Sequence, residues 1–493
     1  MMIPQNHPDS RLSHFLQTLG LSRILRAAGI HKRAVGVVPS VVIQFLLGLI
    51  FTRRNFWRWL DTRKPHEIPF GKDIVYRFLN DPRWNWREVL SRVAHASYQR
   101  VRPLTRHTAV LAVDDSLSDR SRSKMVELMG PVFDHAAQRM RRGFHWLVLV
   151  WTDGQTVIPA DFALLTTQKA EKRQPTRAGI PPQSPGAARR RESLLPAPTV
   201  VVALIQQALK TGLQAAYVVC DRWFTTPTLV SQIVRETGCD VIGLLKNGSL
   251  RYEWNGQRMT LAQIYRALRG SWSRHDLQGS VVVHLPTPTG ILPVKLVFIR
   301  DRRGHSREWL ALLCTDISLA DDEVVRLYGK RWDIETFFKV SKSFLGLASE
   351  FQSRSYDALI AHTTLVCGRY LFLAHEARSE TDLRTVGALF FVMVDELTDL
   401  TWAMVWDQIM AAFEAALQET LDLTPDPVET LYQTFLQKLP EPLRDRINGL
   451  KKSSPAKIPQ SRIGSGKTQH IYLRKLGKIL NKNLTYTFTF CTT

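Results

Sequence analysis

Residues Tyr328 to Lys342 read YGKRWDIETFFKVSK, and the rest of the chain is understood by how it serves this stretch. Projected as one helix at about 100° per residue, Tyr328, Arg331, Glu335 and Lys342 fall at roughly 0°, 300°, 340° and 320°, a single polar stripe. Leu327, Ile334, Phe338 and Leu345 gather at roughly 240° to 280°, with Phe337 and Phe344 beside them, so an apolar face adjoins the polar one and is expected to pack on a core. The stripe sets one carboxylate among an Arg fork, a Lys point charge and a Tyr hydroxyl, groups suited to phosphate. Asp333 projects at about 140°, away from the stripe, which leaves Glu335 as the acid of interest. A solvated helix face laced with ion pairs has the same local pattern, so the remainder of the chain must decide.

The 493 residues allow two to four domains and a large core. Lys and Arg number 66 against 44 Asp and Glu, a formal charge of +22, which points to a polyanionic partner, most simply nucleic acid. The longest apolar run, Val37 to Phe51, contains Pro39 and Gln44 and stops at Arg53-Arg54, too short to span a bilayer. The N-terminus lacks the basic-then-apolar order of a signal peptide, and the expectation is a soluble intracellular protein without membrane contact. Cys220, Cys239, Cys314, Cys367 and Cys491 are scattered, odd in number and without a CxxC pair, which disfavours a disulfide framework or a zinc cluster.

Working outward, residues 1–105 show helical apolar periodicity in LSHFLQTLGLSRILRAAG, VVIQFLLGLI and KDIVYRFLNDPRWNWREVLSRVAHASYQRV. Basic and aromatic residues interleave there, at Arg53, Arg54, Phe56, Trp57, Arg58 and Trp59, then Trp84, Trp86 and Arg87. That pattern suits a DNA backbone and marks the region as a helical DNA-binding domain. At Thr108 the pattern becomes TAVLAVDDS, a buried strand ending in acids, and HWLVLVWTDGQTVIPADFALL reads as a hairpin turning at Thr152 to Gln155. Gln168 to Pro198 is crowded with Pro, Gly and Arg and reads as a mobile basic loop. Helix, strand, helix and strand then alternate through TVVALIQQALKTG, AAYVVCD, TPTLVSQIVRETG and DVIGLLK, as in a parallel sheet with crossover helices. Asp221 closes one of these strands, at the edge where ligand sites of open α/β sheets lie. A β-rich insertion is expected over 247–317. The core is thus expected over 106–246 and 318–378, followed by a helical region over 379–450. The tail 451–493 has nine Lys or Arg and no Asp or Glu, and reads as a basic arm.

Three acids stand out by position: Asp114 or Asp115 closing the first strand, Asp221 closing a later one, and Glu335 in the phosphate-suited stretch. Carboxylates on adjacent strands plus one on a facing helix can hold two divalent cations roughly 4 Å apart, flanking a scissile phosphate. Hard oxygen donors, with no His or Cys in strand-end position beside them, favour Mg²⁺.

The spacing Tyr328-x2-Arg331-x3-Glu335-x6-Lys342 resembles the Tyr-Arg-Glu-Lys signature of bacterial insertion-sequence transposases of the DDE class. YVVCDRWF resembles that family's second-Asp strand and VLAVDDS its first. The resemblance runs from about Lys72 to Ala374. It implies an RNase H-like α/β core with a β insertion, with Asp115, Asp221 and Glu335 as catalytic metal ligands for two Mg²⁺, Mn²⁺ being a substitute. It further implies that Tyr328, Arg331 and Lys342 position DNA phosphates, and that Trp309 stacks on a flipped base. The implied partners are double-stranded DNA, as transposon-end inverted repeats and target, and a second copy of the chain in the DNA complex. The implied activity is metal-dependent cleavage and strand transfer, in the bacterial cytoplasm at the nucleoid.

Overall fold

The computed structural model describes residues 11–31, 36–52, 70–134, 137–269, 276–300, 309–347, 353–378 and 388–391, with residues 394 and 437. The basic-aromatic run at 53–59, nearly all of the expected helical region 379–450 and the tail 451–493 lie outside them. The chain divides into two compact units, Met1–Thr398 and Asp399–Thr493, and the fold below is that of the first.

Five helices come first: α1 (Arg11–Leu19), α2 (Leu21–Ala27), α3 (Pro39–Leu49), α4 (Lys72–Leu79) and α5 (Trp86–Val101). The Asn85 side chain caps α5 by accepting from the Glu88 amide at 3.2 Å. Of the aromatic residues expected to meet DNA, the two among the described residues, Trp84 and Trp86, serve packing instead. Trp86 is buried and meets Phe78 edge-on, and Trp84 tilts against the same ring. Arg87 is ion-paired to Asp161 at 2.8 Å and Glu192 at 2.7 Å. An amphipathic helix beside a large sheet buries its aromatic face, and an Arg there survives only with carboxylate partners.

Eleven strands among the described residues form one sheet. β1 (Val110–Asp119) pairs antiparallel with β3 (Arg139–Thr152), which takes β2 (Gly130–Asp134) and β4 (Val157–Leu165) on its other edge. β1 also pairs parallel with β5 (Tyr217–Cys220), and β5 with β6 (Asp240–Leu244). Crossover helices α7 (Ala197–Lys210) and α8 (Pro227–Thr237) flank β5 in sequence, as the alternating pattern predicts. Val110 to Val113 are all fully buried, as a central strand covered on both faces requires. The β-rich stretch is not a separate layer. β7 (Arg251–Trp254), β8 (Gln257–Thr260), β9 (Leu277–Thr287), β10 (Gly290–Arg300) and β11 (Trp309–Cys314) continue the same sheet, β11 pairing antiparallel with β6.

The segment read as a mobile loop is anchored. It holds helix α6 (Pro185–Glu192), whose Arg189 and Arg190 are buried. Arg190 is paired with Glu127 and Asp357, and Arg189 with Glu192. Composition misleads here because long-range ion pairs, not apolar periodicity, order the segment.

The remaining helices are α9 (Leu261–Leu268), α10 (Asp321–Gly329), α11 (Trp332–Ser343) and α12 (Tyr356–Ala377). Trp146 of β3 packs on Phe337 and Phe338 of α11. Trp151, on the opposite face of the strand, meets Tyr98 of α5. Arg369 of α12, 1% exposed, donates to the carbonyls of Leu46, Leu47 and Leu345, binding α3 and the end of α11 to the long helix. No helix among the described residues is long and apolar enough to cross a membrane, and the four described cysteines are buried and free.

Candidate active site

The parallel register pairs Val113 with Cys220, so the next residues, Asp114 and Asp221, emerge side by side at the carboxyl edge of the sheet. Asp221 turns the chain there: its Oδ1 accepts from the amides of Trp223 at 2.8 Å and Phe224 at 3.2 Å. Side chains alternate along β1, and this separates the two adjacent acids. Asp114 and Ser116 face α11, whereas Asp115 faces the other way and its Oδ2 lies 2.9 Å from His145 Nδ1 of β3.

Tyr328 to Lys342 is not one helix. Lys330 and Arg331 form a turn between α10 and α11, with tight bonds from the Arg331 amide to Tyr328 O at 2.9 Å and from Asp333 to Lys330 O at 3.1 Å. Backbone angles stay right-handed helical, so the turn resembles a short 3₁₀ segment. Lys330 explains it: its Nζ donates to the carbonyls of Thr108 at 2.5 Å and Asp153 at 2.9 Å, pinning the turn beneath the start of β1.

The polar stripe survives this break. Arg331, 10% exposed in its side chain, reaches Asp114 Oδ2 at 3.2 Å and Glu335 Oε1 at 2.6 Å. Its guanidinium lies over the rings of Tyr328 at 5.9 Å and Trp332 at 5.3 Å. Lys342 Nζ donates to Ser116 Oγ at 2.7 Å. Asp333 lies apart from the stripe, as expected, and accepts from Thr152 Oγ1 at 2.5 Å.

Crowding sets the electrostatics. Burial and the Asp221 charge push the Asp114 carboxyl up to about 7, with Asp115 adding to the rise and Arg331 opposing it. Burial raises Asp221 too, against the two amides that it accepts. Glu335 is 40% exposed in its side chain, with Arg331 as its ion-pair partner. Among the described residues no three His, Cys, Asp or Glu side chains converge closely enough to hold a metal ion. The donor chemistry nonetheless fits a hard divalent cation: beyond burial, the Asp221 charge raises the neighbouring Asp114 carboxyl, a repulsion that such an ion relieves.

Trp309 and His145 complete the surroundings of the acids. Trp309 stands at the same sheet edge, but its ring stacks on Tyr265 at 4.6 Å and tilts against Phe298. Three strand spacings, ~14 Å, separate β11 from β1. His145, in the middle of β3 and not at a strand end, reaches Asp115 from the neighbouring strand; no local motif marks such a cross-strand partner. Composition alone also did not single out Trp223 and Trp332, 65% and 55% exposed next to Asp221 and Arg331.

Residues 57–276 match the family model described as DDE superfamily endonuclease, and residues 197–372 match the one described as transposase DDE domain. The first span contains Asp114, Asp115 and Asp221, the second Asp221 and Glu335. These matches support a DDE transposase. The solved Drosophila P element transposase strand transfer complex is similar over 90% of this chain and 97% of that one, with 11% identity and a TM-score of 0.21, too low to bear on the fold. No curated protein matches the chain significantly.

Proposed function

We propose that this DDE transposase acts on an insertion sequence of the Tyr-Arg-Glu-Lys type, binding terminal inverted repeats and cutting and joining DNA ends on an RNase H-like core. The observation that carries the reading is the meeting of Asp114 and Asp221 at adjacent parallel strand ends with the Arg331–Glu335 pair of the signature stretch. Asp114, Asp221 and Glu335 would hold two Mg²⁺, or Mn²⁺ in their stead. Asp114 replaces Asp115 in this reading, because Asp114 shares a face with α11 while Asp115 is turned to His145.

Bound there, the cations supply a nucleophile from water and neutralise charge on the scissile phosphate. The chain's own groups do the rest. Arg331, stiffened between two aromatic rings, offers a fork to phosphate oxygens, and Lys342 adds a point charge. Tyr328 keeps its proton, since burial raises its hydroxyl to about 12, and can donate it to a phosphate oxygen. The sheet edge is open, as a duplex substrate needs, and joining two ends calls for two copies of the chain. The setting is the bacterial nucleoid.

The test is incubation with Mg²⁺ and labelled DNA carrying the inverted repeats that flank the gene, beside Glu335→Gln. Cleavage at the repeat ends with joined products, both absent from the variant, is the expected result. Cut DNA that is never joined would reduce the reading to an endonuclease, and repeat binding without cutting under any divalent ion would remove it.

A further inference from the structure

β1 ends where Asp119 pairs with Gly143, and from there β3 runs on beside β2 alone, from Gly130–Gly143 to Asp134–Arg139. A two-stranded ribbon therefore extends past the sheet. At its far end Phe133 and Met140 are direct cross-strand partners, 38% and 59% exposed. The β1–β3 and β2–β3 pairings keep register without a bulge, so by alternation this pair projects from the same face as Trp146, the face that carries α11. Arg142 shares that face, while Arg139 at the far end lies on the other one with Arg141, and Arg139 and Arg142 are both exposed. On the opposite face Arg141 bridges Asp119 at 3.2 Å and Asp134 at 3.1 Å, tying the ribbon to the end of β1. Gly143 is required at the root, since a Cβ there would collide with the Ser118 carbonyl. The preceding turn adds exposed Arg122 and Lys124.

A stiff ribbon that shows a large apolar pair to solvent, with cations beside it, has a surface made for a partner that is both anionic and apolar in its recesses. A duplex groove is such a partner. Strands ~5 Å apart with their side chains match a major groove about 12 Å wide better than a minor groove about 6 Å wide. We propose that this ribbon lies in the major groove of the DNA being cut, Phe133 and Met140 against base edges and Arg139 and Arg142 on flanking phosphates. The inference rests on the reading that this chain acts on DNA. Met140 stands eight residues along β3 from Val148, the partner of Asp114, or ~27 Å at the rise of a strand. Along a duplex that is about eight base pairs from the cut.

The test places a benzophenone photocrosslinker at position 140 of the full chain, bound to duplexes carrying the flanking repeats. Crosslinks centred about eight base pairs from the cut, and blocked by methylating guanine N7 there, are expected. Phe133→Ser with Met140→Ser should weaken duplex binding roughly tenfold without altering its salt dependence, while Arg139→Ala with Arg142→Ala should flatten the salt slope by about two phosphates. Unchanged melting curves for these exposed positions confirm the fold. A protein that binds and cuts with no crosslink from position 140, or that crosslinks a second copy of the chain instead, would overturn the proposal. Crosslinks without cutting would leave the groove contact standing and count against the transposase reading.

Discussion

Two of the buried charge clusters among the described residues have been treated differently. Around Arg190 every group has a partner. Its Nε and Nη2 donate to Glu127 at 2.7 and 2.9 Å, and its Nη1 and Nη2 to Asp357 at 2.8 and 2.7 Å. Glu127 also accepts from the amides of Tyr356 and Arg177. Burial alone would raise the Glu127 carboxyl, but Arg190 and these amides more than offset it and hold it below its ordinary value. At the strand ends, by contrast, one guanidinium serves Asp114 and Glu335 while Asp221 and Asp115 press on Asp114. A satisfied cluster fastens the fold; a crowded one at the strand ends is what the proposed function has a ligand complete.

The sharpest way to break that contrast is substitution at the crowded cluster. Asp114→Asn, Asp221→Asn and Glu335→Gln should each lower DNA cutting a thousandfold or more, at least ~4 kcal/mol in the barrier, while unfolding midpoints in denaturant hold or rise. Asp115→Asn should cost less than about tenfold in the same cutting assay, ~1.4 kcal/mol.

Next in size comes the satisfied cluster. Arg190→Met strands two buried carboxylates and should destabilise the chain by about 3–4 kcal/mol in urea denaturation, and any loss of cutting should follow the lost fold.

The two clusters should also differ in the sign of their pH dependence. Asp114 binds its proton more tightly folded than unfolded, so its contribution is fully present below about pH 4 and is lost as pH rises toward 7. Without divalent ions, Asp114→Asn should therefore gain stability relative to the wild type across that window, on the order of 4 kcal/mol. Glu127 runs the other way: its contribution is present above its ordinary range and fades as pH falls below it.

The smallest effect concerns Trp309. Its replacement by Ala should cost about 1 kcal/mol of stability through the lost stack on Tyr265, with little change in cutting.

What was legible in the sequence follows the same division. Apolar period exposed β1, the β3–β4 hairpin and the alternation from α7 to β6. The positions of Asp221, Arg331 and Glu335 followed from strand ends and helix spacing. The break at Lys330–Arg331 was hidden because its backbone stays helical and its cause, two carbonyls at Thr108 and Asp153, is remote in sequence. The facing of Asp114 and Asp115 was hidden because a strand buried on both faces has no visible phase; only the helix packed on one side shows that Asp114 is turned to it. Helix α6 was misread because the partners of Arg189 and Arg190 carry no local period.

Calorimetric titration of the DNA-free protein with Mn²⁺ tests the central claim most directly. The account predicts binding that weakens at least tenfold in Asp114→Asn and in Asp221→Asn, ~1.4 kcal/mol each or more, and that Asp115→Asn leaves nearly intact. Binding lost with Asp115 and retained without Asp114, or unaffected by all three, would contradict it.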